Sequence, residues 1–208
     1  MRNLNIIFII NLIVLLLAEI PLNAQDYRSA EEANGLLTGQ TAPLFEATDQ
    51  HGEQFNLTKA LEQGPVVLVF YRGFWCPVCN KHLKSFQDSL YLMKEAGVQV
   101  IAVSPEKPEY LDRMAEQTGA EFRLLYDEDY RIADAYDVSF KPDAKTLFVY
   151  NTVLDANLKE THSDDSQRLP IPATYLINRD GKIIWRHFDP DYKERSSVSE
   201  ILKALKNL

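Results

Sequence analysis

The chain has 208 residues, 46% hydrophobic and 25% charged, which suits one globular domain with a core of its own. A formal net charge of −8 argues against nucleic acid or an anionic membrane surface as its main partner. The N-terminus differs from the rest. Arg2 stands alone as a positive charge, Ile6 to Ala18 is apolar except for Asn11, and Leu22-Asn23-Ala24 resembles a small-residue cleavage site. Residues 1–24 therefore read as a secretory signal peptide, with an uncleaved N-terminal anchor as the alternative. The apolar run falls short of the ~20 residues that span a bilayer comfortably. Either reading places the protein outside the cytoplasm, periplasmic or secreted, and a membrane enters only through an uncut N-terminus. Residues 25–37 read as a tether or a short helix, and 38–208 as the folded domain.

Asp49-Gln50-His51-Gly52 reads as a turn between two short strands, and Lys59 to Gln63 as a helical turn ending at Gly64. Pro65 to Tyr71 is the most strand-like run, bulky on every residue after the proline, as in a strand buried on both faces. Leu83, Phe86, Leu90 and Met93 then recur at spacings of three and four, predicting a helix that closes at Gly97. Between them lie the only two cysteines, Cys76 and Cys79, with Pro77 suited to the first helical position. A helix N-terminus carries roughly half a positive charge and unpaired N–H groups, both favouring a thiolate. Cysteines so placed have pKa values lowered from about 8.5 into roughly the 3.5–7.5 range. Cys76 is read as the attacking thiolate, and Cys79, expected to be the less exposed, as its resolving partner.

Val98 to Val103 is a second strand reached through that helix, so the two strands should be parallel neighbours. Pro108 opens a helix carrying Tyr110, Leu111 and Met114; a short strand at 122–125 and a helix over 129–136 follow. The stretch of about 139–168 reads as an insertion too short for its own core, with a helix over 143–151. Tyr175 to Ile177, a turn at Asn178-Arg179-Asp180-Gly181 and Lys182 to Phe188 form a hairpin. Ser197-Val198-Ser199-Glu200 is a capping box before the last helix.

These elements resemble the thioredoxin-like fold, α/β, with a central mixed β-sheet flanked by helices. More closely they resemble the peroxiredoxin-like alkyl hydroperoxide reductase and thiol-specific antioxidant (AhpC/TSA) family. The resemblance rests on Ala42-Pro43 and Asp49-Gln50-His51-Gly52, on Val67-Leu68-Val69-Phe70-Tyr71-Arg72-Gly73-Phe74-Trp75-Cys76-Pro77-Val78-Cys79-Asn80, and on Ile101-Ala102-Val103-Ser104-Pro105. Pro172-Ala173-Thr174-Tyr175, Asp180-Gly181 and Asp189-Pro190-Asp191-Tyr192 extend it over roughly 38–205. It implies a thiol-dependent antioxidant oxidoreductase without a cofactor or metal. The Cys76 thiolate would reduce hydroperoxides, the sulfenic acid would be resolved by Cys79, and a thioredoxin-like donor would reduce the disulfide. Tyr71, Arg72, Trp75, Pro77 and Pro172 would shape the pocket, with Trp75 as a cover over the pair.

The chain also departs from the family's pattern. Gly73 stands where typical peroxiredoxins carry Thr or Ser, Val69 where they carry Pro, and Pro172 where they carry Arg. Pro172 resembles instead the cis-proline facing the cysteine pair of thioredoxins, and a cis bond is expected there. Two alternatives follow: a disulfide oxidoreductase acting on proteins without peroxidase turnover, or a binding domain with a structural disulfide. A two-residue spacer closes so small a loop that a purely structural bridge would stabilise little. A zinc site on Cys76, Cys79 and His82 would lack its fourth ligand, and His82 otherwise reads as a surface residue.

Overall fold

The computed structural model describes residues 27–206, so the reading of residues 1–24 lies outside the described residues. The strands are β1 (Glu46–Asp49), β2 (Gln54–Asn56), β3 (Val66–Phe70), β4 (Gln99–Ser104), β5 (Arg123–Tyr126), β6 (Ser139–Phe140), β7 (Leu169–Pro170), β8 (Ala173–Ile177) and β9 (Ile183–Phe188). The helices are α1 (Leu57–Gln63), α2 (Pro77–Asp88), α3 (Leu90–Glu95), α4 (Pro108–Thr118), α5 (Arg131–Ala135), α6 (Ala144–Thr152), α7 (Leu158–Thr161) and α8 (Val198–Leu205).

Seven strands form one mixed sheet in the order β2-β1-β5-β4-β3-β8-β9. β3 and β4 pair in parallel, as the intervening helix requires, with Val66 opposite Gln99 and Phe70 opposite Val103. β8 runs antiparallel to β3, and β9 antiparallel to β8 through the expected hairpin. There Gly181, at φ 74°, donates its N–H to Asn178 O at 2.9 Å.

All five residues of β3 are buried, because α2 and α4 pack on one face of the sheet and α1 and α5 on the other. Val67 and Val69 face Leu83, Phe86, Leu111 and Met114 of α2 and α4. Val66, Leu68 and Phe70 face a second cluster containing Leu57, Tyr136 and Tyr175. This two-residue alternation on a wholly apolar strand holds β3 at the centre of the molecule.

Two local expectations change. The helix expected to run through Met93 breaks at Ser89 (φ −114°, ψ 10°), giving α2 and α3; Asp88 and Ser89 are weak helix formers in succession. The stretch 25–37, where described, packs on the sheet. Ala33 is buried, Leu36 N–H donates to Tyr175 Oη at 3.2 Å, and Arg186 Nη1 donates to the carbonyls of Asn34, Gly35 and Leu36. The insertion holds α6, close to where a helix is expected, and α7, and lies between the short paired strands β6 and β7.

Candidate active site

The last bond of the β3–β4 ladder is Tyr71 N–H to Val103 O. Beyond it the chain leaves the sheet through residues 72–75 and enters α2 with Cys76 as N-cap and Pro77 at the first turn. Cys76 and Cys79 form a disulfide with Cα atoms 5.3 Å apart. Cys76 Sγ also accepts from Cys79 N–H at 3.3 Å, as an N-cap side chain does. Bonded to each other, the sulfurs are not free for zinc; among the described residues no cluster of three or more His, Cys, Asp or Glu suits a metal.

Contrary to the expected difference in exposure, both cysteines are sealed, Cys76 at 0% and Cys79 at 1%. Arg72 provides much of the seal. Its Nη2 lies 3.1 Å from Cys76 Sγ and its Nη1 donates to Tyr150 Oη at 2.8 Å. The guanidinium sits 4.0 Å from the Tyr192 ring centroid, 5.1 Å from Tyr150 and 5.3 Å from Trp75. Trp75 in turn packs on Tyr150 at 5.1 Å, within the same buried cluster as the two cysteines.

Arg72 is 2% exposed and has no carboxylate within ion-pair distance among the described residues. Burial pulls its pKa below arginine's usual value, while Tyr150 and Tyr192 push the other way. A buried cation aimed at a sulfur and lacking an anion of its own favours the thiolate form of that sulfur. On the far side of the pair, Arg195 Nη2 lies 3.8 Å from Cys79 Sγ. Burial and the neighbouring Arg72 bring its pKa down to about 10.

Glu106, fully buried, accepts the Phe74 N–H on both carboxyl oxygens at 3.0 and 2.9 Å. Burial pushes its pKa well up. This carboxyl explains Gly73. A Cβ there would stand 2.5 Å from Glu106 Oε1 and overlap Trp75 Nε1 as well. The Thr or Ser of typical peroxiredoxins does not fit this loop.

Of the other residues read as pocket-forming, Tyr71 is buried beside Glu106, and burial with that carboxyl's charge raises its pKa well above the usual tyrosine value. Pro77 lines a groove on the outer side of α2. Pro172 is buried but trans, which corrects the expected cis bond. Ile171 N–H bonds to Val138 O and Ala173 pairs with Phe188, so the chain runs straight from one ladder into the next. No reversal is needed there, and trans remains favoured by about 0.5–1 kcal/mol. His82 is also corrected from a surface residue to a buried one. Its Nε2 meets Ser196 O at 3.0 Å and Ser196 Oγ at 3.2 Å, and burial brings its pKa down to about 4.

The sequence alone assigns no role to Tyr150, Tyr192, Arg195 or Glu106. Asp191-Tyr192 and Ser104-Pro105 stand out as blocks, but nothing in them marks a side chain as reaching the sulfurs. The insertion, whose role the sequence leaves open, supplies Tyr150.

A buried, cation-flanked cysteine pair at the strand–helix junction of such a sheet defines a thioredoxin-fold thiol oxidoreductase. The AhpC/TSA family model matches residues 38–186, and the chain belongs to that family. It is 34% identical over 174 residues to peroxiredoxin Bcp of Escherichia coli (strain K12), covering 83% of this chain and 97% of the relative. To peroxiredoxin Bcp of Bacillus subtilis (strain 168) it is 28% identical over 172 residues, covering 82% and 95%. Its fold is similar to the crystal structure of peroxidoxin BcpB from Mycobacterium tuberculosis, with a TM-score of 0.63 at 23% identity, covering 82% and 97%.

Proposed function

We propose that the protein is a thiol-dependent peroxidase that reduces hydroperoxides at Cys76. The observation that carries this reading is Arg72 Nη2 at 3.1 Å from Cys76 Sγ, with the Cys79 N–H at 3.3 Å on the same sulfur. Two donors aimed at one sulfur lower the cost of its negative charge. In the reduced enzyme the Cys76 thiolate attacks the terminal peroxide oxygen. The O–O bond breaks, Cys76 becomes a sulfenic acid, and the alkoxide leaves as an alcohol after taking a proton. The Cys79 thiol, at the spacing seen in the disulfide, then displaces the sulfenic oxygen as water and re-forms the S–S bond. A thioredoxin-like dithiol donor supplies the two electrons that reopen it. The protein acts outside the cytoplasm, delivered by residues 1–24 as an export signal or held by them as an anchor.

Stopped-flow mixing of the reduced protein with hydrogen peroxide tests the chemistry. Both thiols should vanish faster than free cysteine reacts. Cys76→Ser should abolish the reaction, and Cys79→Ser should leave a sulfenic acid on Cys76. Reaction no faster than free cysteine rejects the peroxidase reading and leaves disulfide exchange. Cell fractionation, with mass spectrometry of the mature N-terminus, tests the location; an intact chain in the cytoplasm refutes export.

A further inference from the structure

The two sulfurs are not served alike by the backbone. Cys79 is the third residue of α2, and its own N–H already donates to Cys76 Sγ at 3.3 Å. The helix N-terminus and Arg72 therefore favour a charge on Cys76. Among the described residues the donor that meets Cys79 Sγ is a side chain, Arg195, whose Nη2 lies 3.8 Å away. That arginine is held in place from two directions. Its Nη1 donates to the carbonyl of Glu194 at 2.9 Å, and the residue after it, Ser196, is buried. His82, three residues beyond Cys79 on α2, meets Ser196 O at 3.0 Å and Ser196 Oγ at 3.2 Å. Thr174 of β8 meets the same Oγ at 2.9 Å. The backbone that carries Arg195 is thus fastened both to the cysteine helix and to the central sheet.

The charges around Cys79 can be named. Arg72 comes from the strand–helix junction with Cys76, and its own partner Tyr150 from α6. Arg195 comes from the segment before α8, where Asp191 and Tyr192 bear on it. Along α2 stands His82, neutral near neutral pH because burial brings its pKa down to about 4, with His187 of β9 bearing on it. Among the described residues neither arginine has a carboxylate within ion-pair distance. Two guanidinium groups against the one carboxylate of Asp191 leave a positive balance at the pair, which favours an anion on either sulfur.

We propose that Arg195 is a catalytic residue of the resolving step, the counter-charge that ionises Cys79. With the guanidinium beside it, the Cys79 thiol gives up its proton. The thiolate attacks the sulfenic sulfur of Cys76, the S–S bond forms and the S–O bond breaks. Cys79 supplies the electron pair and is oxidised, the sulfenic sulfur is reduced, and the oxygen leaves as water with the proton that Cys79 released. Each sulfur then has its own arginine: Arg72 for the one that meets peroxide, Arg195 for the one that closes the disulfide. The step rests on the peroxidase reading, whereas the ionisation rests on the geometry of the pair alone.

Cys76→Ser leaves Cys79 as the sole thiol of the full-length chain, so its ionisation can be read from the ultraviolet absorbance of the thiolate, with no reagent needing access. Adding Arg195→Met should raise the midpoint by about one unit, a tenfold loss of thiolate, at the lower end of what a nearby opposite charge does. Arg195→Lys should restore most of it, and Arg195→Gln repeats the comparison if the Met variant fails to fold. With both cysteines present, stopped flow isolates resolution as the phase whose rate is independent of peroxide concentration. A thiolate more basic by one unit is intrinsically about threefold more reactive at a Brønsted slope of ~0.4–0.5. Arg195→Met should therefore resolve about threefold slower below both midpoints and about threefold faster above both, so its pH profile crosses that of wild type. A merely structural loss gives parallel profiles. Parallel profiles, or a Cys79 midpoint unchanged within about 0.3 unit, would overturn the proposal. The titration uses no peroxide. A shifted midpoint in a protein inert to peroxide would refute the peroxidase reading and still support Arg195 as the charge that ionises Cys79.

Discussion

Replacing Arg72 by Met removes the charge from Cys76 while leaving an apolar chain for Trp75, Tyr150 and Tyr192 to pack against. At the observed 3.1 Å, an effective dielectric of 20 gives a Coulomb energy of about 5 kcal/mol between guanidinium and thiolate. Charges this close shift measured pKa values by only about 1–3 units, because burying the cation offsets part of the gain. We therefore expect the Cys76 ionisation midpoint to rise by about 1–3 units, equivalent to about 1.4–4 kcal/mol. The assay must be chosen with care. A two-unit rise lowers the thiolate fraction up to ~100-fold at fixed pH, but a more basic thiolate is intrinsically ~6–10-fold more reactive at a Brønsted slope of 0.4–0.5. The midpoint of alkylation rate against pH, measured on reduced protein with iodoacetamide, separates the two effects where a single rate does not. Arg72→Lys should fall between wild type and Met, since a point charge lacks the planar fork that spans Cys76 and Tyr150. A midpoint that moves by less than about 0.3 unit in Arg72→Met, well under the expected range, would refute the assignment of Arg72 as the charge that ionises Cys76.

Restoring a Thr at Gly73 should destabilise the protein by about 1–3 kcal/mol without raising peroxide reactivity, because its Cβ collides with Glu106 and Trp75; a faster peroxide reaction in stopped flow contradicts this. Tyr150→Phe removes the hydroxyl that accepts from Arg72 Nη1 and should cost about 1.5–3 kcal/mol in urea unfolding. Its alkylation midpoint should stay near that of wild type, since Nη2 still faces the sulfur; a shift as large as that of Arg72→Met would show that Tyr150 sets the ionisation. His82, with its pKa brought down to about 4 against ~6.5 unfolded, contributes no pH dependence above pH 6.5. As pH falls towards 4 the unfolded chain takes the proton first, so stability is lost, by about 3 kcal/mol for this group. The His82→Gln variant should lack that part of the acid limb in urea titrations, and a wild-type minus variant difference that stays flat from pH 6.5 to 4 refutes it. His162, brought down to about 3, acts in the same direction, while Asp127, pushed up to about 6, opposes both, so the comparison is made at each pH against wild type.

What the sequence determined is what neighbouring residues decide among themselves. The apolar run before Cys76, Pro77 at the first helical position, the hairpin turn with Gly181 and the capping box at Ser197 are all written within a few residues. They are enough to place a cysteine pair at a helix N-terminus beneath a parallel strand pair, and with that the fold and the redox chemistry. The tertiary structure decided which charges and rings surround the sulfurs. Tyr150 reaches Arg72 from 78 residues away, Arg195 reaches Cys79 from 116, and Glu106 holds Phe74 from 32. Nothing in the local pattern around those residues marks them for this place. The burial of His82 and the trans bond at Pro172 likewise depend on what packs or pairs on either side. A thiol's ionisation follows the distance and burial of the charges near it. Sequence spacing sets such distances along one turn of helix, but across the sheet only the closed fold does.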